Sequence, residues 1–154
     1  MLNVLIMLLL ISSPSINAQN PDSAVKYDST LAQKLGADEY GMKQYVMAFL
    51  KKGPKRSQDS TQRAEIQSAH LKNIMRLAKE GKLIIAGPFL DNTEIRGIFI
   101  FDVKTVEEAK KLTETDPAVK AGVLSMELHP WYGPAILPEA LKMNEKLQKR
   151  SITD

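Results

Sequence analysis

The chain has 154 residues, of which 44% are hydrophobic, with no cysteine and a formal net charge of +3 from 21 basic and 18 acidic residues. This composition is typical of a globular protein with one domain, and the lack of cysteine excludes disulfides, thiolate metal sites and a lipidated cysteine. The basic residues are scattered except at 51–56, where no aromatic residues are interleaved as on a nucleic-acid surface. We therefore expect no nucleic-acid partner.

The first residues have the pattern of a secretory signal peptide. Residues 2–11 include nine apolar residues in ten, and a small, polar segment follows over 12–18. Ten residues are too few to cross a bilayer, which takes about 20. We predict a signal peptide over 1–18, cleavage after Ala18, and an exported protein, periplasmic or secreted, without a membrane anchor. The alternative is a buried N-terminal helix or strand.

The rest of the chain predicts one α+β domain. A polar lead-in over 19–42, with a short helix at 28–35, precedes the domain at 43–133, and a C-terminal helix (138–149) and tail occupy 134–154. The order within the domain is β-α-β-β-α-β, the split β-α-β arrangement. Its predicted elements are a strand at 43–51, a helix at 60–80, strands at 82–86 and 96–103, a helix opened by a capping box at 105–108, and a strand at 123–129.

One histidine on a predicted helix is a candidate catalytic residue. His70 lies at the border of the apolar face of the second helix, one turn before Ile74. Histidine titrates near neutral pH, which makes His70 the best general acid or base in the chain. The alternative is a border histidine that only hydrogen-bonds a neighbouring element. No second ligand lies four residues after His70, so we expect neither a metal site nor a cofactor.

Asp116 is the second candidate, in a turn that begins Asp116-Pro117 and ends at Gly122. An aspartate before a proline is typical of the cap of a short helix, and that role alone would explain it. The alternative is that its carboxylate meets a catalytic group. His129, at the end of the last predicted strand, and Trp131, just after it, are the other candidates. Trp131 could form the wall of a pocket, but we predict that both residues serve structural packing at the strand end.

Several of these motifs resemble the YCII-related family of small dimeric proteins. The matching residues are His70-Leu71, Gly81-Lys82-Leu83 and Asp116-Pro117. The resemblance implies a ferredoxin-like fold of the dimeric α/β barrel type, with His70 and Asp116 as the catalytic pair and the carboxylate fixing the tautomer of the ring. Many members carry an arginine three residues before the histidine, where this chain has Gln67. Relatives include a dehydrochlorinase, which implies proton-transfer or elimination chemistry.

Two functions remain open at this point. The first is a small enzyme that performs acid/base chemistry on a small organic substrate. The second is a non-catalytic module that binds a small ligand or another protein and dimerises through its sheet. Both include a homodimer, because helices cover only one face of the sheet and Phe99, Phe101 and Met126, or their neighbours, need cover. A cavity open to both His70 and Asp116 would favour the enzyme, whereas a fully buried pair with its helix caps satisfied would favour a structural role.

Overall fold

The computed structural model of the protein describes residues 26–55 and 59–152. The predicted signal peptide at 1–18 and the first part of the lead-in lie outside the described residues. The helices and strands are α1 (Ser29–Leu35), β1 (Met42–Lys52), α2 (Ser60–Lys79), β2 (Leu83–Pro88), β3 (Ile95–Phe101), α3 (Val106–Thr113), α4 (Pro117–Lys120), β4 (Leu124–Pro134) and α5 (Leu137–Glu145). No described helix is long and apolar enough to cross a membrane.

The four strands form one antiparallel sheet in the order β2-β3-β1-β4. The long strand β1 therefore lies inside the sheet, between β3 and β4. With α2 joining β1 to β2 and α3 preceding β4, the architecture is α+β and compatible with a ferredoxin-like fold. The predicted order of strands and main helices is confirmed.

Local capping sets the starts of the two main helices. The Asp59 carboxylate accepts a hydrogen bond from the backbone N–H of Thr61 at 2.8 Å, so α2 begins at Ser60. Thr105 and Glu108 form the predicted capping box, in which the Thr105 hydroxyl accepts from the Glu108 N–H and the Glu108 carboxylate accepts from the Thr105 N–H. The capping box was predicted because its two partners lie within three residues of each other in the sequence.

The last strand is longer than predicted. It was expected to end at His129, but β4 continues to Pro134 and pairs with β1 over its whole length, from Met42 opposite Pro134 to Lys52 opposite Leu124. Pro130 fits within the strand because β4 is an edge strand with one side unpaired. Helix α5 ends at Glu145, four residues earlier than the predicted end at 149.

The main core lies between the sheet and the two long helices. Leu77 of α2 and Ala109 of α3 pack there against Val46, Ala48 and Leu50 of β1. Phe99, Phe101 and Met126 also belong to this cluster, so of the two alternatives in the prediction it is their neighbours, such as Ile100, that lie on the other face of the sheet. Side chains alternate between the two faces along a strand, so an error of one residue in the alternation places every side chain of the strand on the wrong face.

The other face of the sheet carries a smaller cluster. Tyr45, Ile84 and Ile100 are buried there, with Trp131 and Leu137 packed against them. The Tyr45 hydroxyl donates to the backbone oxygen of Pro134 at 2.8 Å, which ties the centre of the sheet to the end of β4. Burial raises the pKa of Tyr45 to about 12, with a smaller contribution from the negative charge of Asp102. Farther along β1, Met47 and Phe49 stay partly exposed.

Two glycines lie at the end of the β2–β3 hairpin, and only one of them needs to be glycine for packing. A Cβ on Gly97 would lie 2.4 Å from the carbonyl oxygen of Gly87, whereas a Cβ on Gly87 would meet no atom within 4 Å. We therefore expect Gly97→Ala to lower the free energy of unfolding by about 1–3 kcal/mol, since the strands must separate. The matched Gly87→Ala variant should unfold within about 0.5 kcal/mol of wild type. Equal denaturation midpoints for the two variants in urea would contradict this close approach.

Candidate functional site

Helix α2 holds His70 against the sheet. The side chain is buried, with the residue only 7% exposed, and its ring stacks on Phe99 of β3 with ring centroids 6.0 Å apart and planes inclined by 16°. A stacked ring on a regular helix has little freedom to rotate. His70 therefore lies at the border of the apolar face, as helical spacing predicts, and its imidazole is packed in one orientation there.

Asp116 meets His70 and caps α4 at the same time. Its Oδ2 lies 2.7 Å from His70 Nδ1, and its Oδ1 accepts a hydrogen bond of 2.8 Å from the backbone N–H of Ala118. The residue is 1% exposed. Because the two oxygens have different partners, both interpretations of this aspartate hold: it is a helix cap and it is the partner of the histidine. An ionised carboxylate can only accept hydrogen bonds, so Nδ1 must carry the proton of this contact.

A polar network holds the turn before Asp116 on α2. The Arg76 guanidinium donates to Asn73 Oδ1 at 2.9 Å and to Thr115 Oγ1 at 3.0 Å. The Thr115 hydroxyl lies 2.7 Å from the backbone oxygen of Leu112, to which it donates. Thr115 directly precedes Asp116, so this network fixes the carboxylate relative to the helix that carries His70. Sequence reasoning missed these residues, although Asn73 follows His70 by three positions, nearly one helical turn.

A cavity of about 360 Å³ opens onto the histidine. Its lining includes His70 and Gln67 from α2 and Phe99, Gly97 and Arg96 from β3, whereas Asp116 lies behind the ring and is not part of the lining. The volume falls within the range of small-molecule sites. The cavity is therefore open to the imidazole of His70 and not to the carboxylate of Asp116.

The other two candidates of the last strand lie elsewhere. His129 projects from the opposite face of the sheet, with Nε2 2.9 Å from the Glu127 carboxylate and its ring against Phe49. A hydrogen bond from the ammonium of Lys51 holds the pKa of Glu127 below its usual range, and the hydrogen bond with His129 lowers it further. Trp131 packs on Tyr45 with ring centroids 5.8 Å apart. Neither residue lines the cavity at His70.

The described residues offer no metal site. Over 26–55 and 59–152, no group of three or more His, Cys, Asp or Glu side chains is placed to hold an ion. An imidazole that lines a cavity and is hydrogen-bonded at Nδ1 to a carboxylate has the geometry for proton transfer.

Comparison with known proteins identifies the family. The YCII-related domain matches residues 44–132, more than half of the chain, and the protein belongs to this family. A similar solved structure is 5-chloro-2-hydroxyhydroquinone dehydrochlorinase (TftG) from Burkholderia phenoliruptrix AC1100, in complex with 2,5-dihydroxybenzoquinone. It is 22% identical, with a TM-score of 0.42, and the match covers 56% of this chain and 92% of that one. No curated protein matches the chain significantly.

The two roles of Asp116 lead to a test of the ring tautomer. In Asp116→Asn, the single amide oxygen should keep the cap on Ala118, which turns the amide N–H₂ group toward His70 Nδ1. Nδ1 must then accept instead of donate, so the neutral ring should change from the Nδ1–H to the Nε2–H tautomer. Ring nitrogen chemical shifts, measured by NMR at alkaline pH where the ring is neutral, report this change directly.

His129 is the internal control in the same spectra, because it lies on the other face of the sheet. Its nitrogen shifts should stay the same in the variant. An Nδ1–H tautomer for His70 in both proteins would mean that the carboxylate does not set the state of the ring.

Proposed function

We propose that this protein is a small enzyme in which His70 is the general acid/base and Asp116 is the residue that orients it. The substrate is a small organic molecule bound in the cavity at His70. The observation that carries the proposal is the 2.7 Å contact between a buried carboxylate and a ring that itself lines a cavity of about 360 Å³. A positioned base and a separate orienting group are the arrangement that acid/base catalysis uses.

The proposed step is a proton transfer at Nε2. Asp116 occupies Nδ1, so the nitrogen on the other side of the neutral ring takes a proton from a C–H or O–H group of the substrate. The imidazolium so formed is stabilised by the adjacent carboxylate, and it returns the proton to a leaving group or to another substrate atom. The stacked Phe99 keeps the ring in one orientation during the transfer. Such catalysis contributes about 10²–10⁴-fold to a rate.

Exchange of acidic C–H protons measures this step without knowledge of the natural substrate. Proton NMR in D₂O can follow hydrogen–deuterium exchange in a set of hydroxyquinones and 1,3-dicarbonyl compounds. We expect the protein to accelerate exchange for at least one of them, and His70→Asn to lower that rate by about 10²–10⁴-fold. The matched His129→Asn variant, altered on the opposite face of the sheet, should retain the wild-type rate. Acceleration that survives in His70→Asn would remove the histidine from the mechanism.

A non-catalytic ligand-binding or interaction module is the second candidate. It is favoured by the full burial of Asp116 and its satisfied cap on Ala118, which are also the features of a purely structural residue. Saturable binding of a probe in the cavity, with no proton exchange at any pH, would establish this function in place of the first.

We also propose that the protein is a homodimer of the dimeric α/β barrel type, formed through the face of the sheet away from α2 and α3. Met47 and Phe49 on that face are only partly covered in one chain, which supports the proposal. Multi-angle light scattering should give the mass of a dimer for wild type and of a monomer for Phe49→Asp. The control Lys110→Glu changes an exposed residue of α3 and should remain dimeric. A wild-type monomer at micromolar concentration would refute this assembly.

Export is a further part of the proposal. The apolar segment at 2–11 and the polar break after it support cleavage after Ala18, which leaves Gln19 at the N-terminus. N-terminal sequencing of protein from the expressing cells should recover Gln19 outside the cytoplasm, whereas intact Met1 in the cytoplasmic fraction would contradict export.

A further inference from the structure

A second cavity adjoins the one at His70. It has a volume of about 370 Å³ and shares three lining residues, Gln67, Arg96 and Leu124, with the first. The two cavities therefore meet at these shared residues. Gln67 of α2 is one of them, so the face of the helix that carries His70 borders both cavities.

The described lining of the second cavity carries positive charge. Lys52, Arg63 and Arg96 contribute to it, from the end of β1, from α2 and from β3, and no acidic side chain is among the described residues that line either cavity. Asp91 and Glu94, in the turn before β3, are outside both linings. Three cationic side chains from three separate elements therefore contribute to the lining of one cavity.

An irregularity in the sheet directs Arg96 into this space. In a regular strand Arg96 would share a face with Ile98 and Ile100, which point away from α2 and α3. The pairing of β1 with β3 shifts by one residue here. Leu50 lies opposite Gly97, but the next residue of β1, Lys51, lies opposite Ile95 and not opposite Arg96. Arg96 is the extra residue, and such a bulge re-aims its side chain. In the described structure its hydrogen bond to Asn92 Oδ1 uses one of five guanidinium N–H groups.

Arg63 lies on the same side of α2 as the histidine. The positions 63, 67 and 70 are spaced by four and three residues, which places them along one helix face. Seven residues at 1.5 Å each separate Arg63 from His70 by about 10 Å along the axis. A substituted benzene ring next to His70 covers part of this distance. The long side chain of Arg63 can cover the rest by reaching toward the polar group of the ligand.

We propose that the second cavity is an anion subsite and that the ligand of this protein is a small organic carboxylate. The carboxylate binds Arg96, Arg63 and Lys52, and the rest of the molecule lies in the cavity at His70. Arginine favours this group because its planar fork matches the two carboxylate oxygens. This inference rests on the proposed function in its choice of cavity, but it needs no catalysis by His70.

Two probes of nearly equal shape, benzoate and benzamide, test the inference on the mature protein. Amide NMR titrations should give a dissociation constant about tenfold lower for benzoate, since hydrogen bonds between charged groups are stronger than those to a neutral amide. The benzoate shifts should include Gln67 and Arg96, and added salt should weaken benzoate more than benzamide. Equal binding of the two probes, or no binding of either at millimolar concentration, would overturn the proposal.

Variants separate the subsite from the fold and from the proposed enzyme. Arg96→Gln and, independently, Arg63→Gln should each reduce the preference for benzoate, whereas Lys72→Gln removes one exposed charge of α2 and should leave it unchanged. A preference that persists in both arginine variants would place the anion elsewhere and overturn the inference. In His70→Asn the preference should remain, so a failure of catalysis and a failure of anion binding give different results.

Discussion

The hydrogen bond between His70 and Asp116 is the contact on which the site depends. It joins α2 to the turn before α4 across 46 residues of sequence, and both partners are nearly removed from solvent. A buried carboxylate is costly unless its oxygens are satisfied, and here one oxygen has the imidazole and the other has the Ala118 N–H. The same two bonds that make this aspartate tolerable in the interior also hold the ring at the edge of a cavity.

The sheet and its two faces explain why the ring is accessible on one side only. Strand β1 pairs with β4 along its whole length and with β3 from Val46 to Lys51, and the main core fills the side toward α2 and α3. His70 stacks on Phe99 at the border of that core, where apolar packing gives way to the cavity. The chemistry proposed for His70 therefore depends on packing: a ring farther inside the core would meet no ligand, and one farther out would lose its stacking partner and its buried carboxylate.

Charge divides the cavity region into two parts. The His70 end contains an aromatic ring and apolar walls, Arg96 lies at the boundary, and the other end carries the cationic side chains of Lys52 and Arg63. Such a division orients a ligand that has an apolar part and an anionic part, because only one direction satisfies both. Catalytic and binding interpretations of the protein share this polarity, and they differ only in whether a proton moves at His70.

The sequence by itself determined the features whose partners are close along the chain. The capping box at Thr105, the cap at Asp116, the element order and the helical position of His70 all follow from local sequence patterns. Only the tertiary structure decided the rest. The extension of β4 to Pro134 depends on pairing with β1, the inward position of Phe99 and Phe101 depends on which face the helices cover, and the direction of Arg96 depends on one shifted pair in the sheet. These features arise from contacts between distant segments, and the period of a single strand does not reveal which of its two faces will be buried.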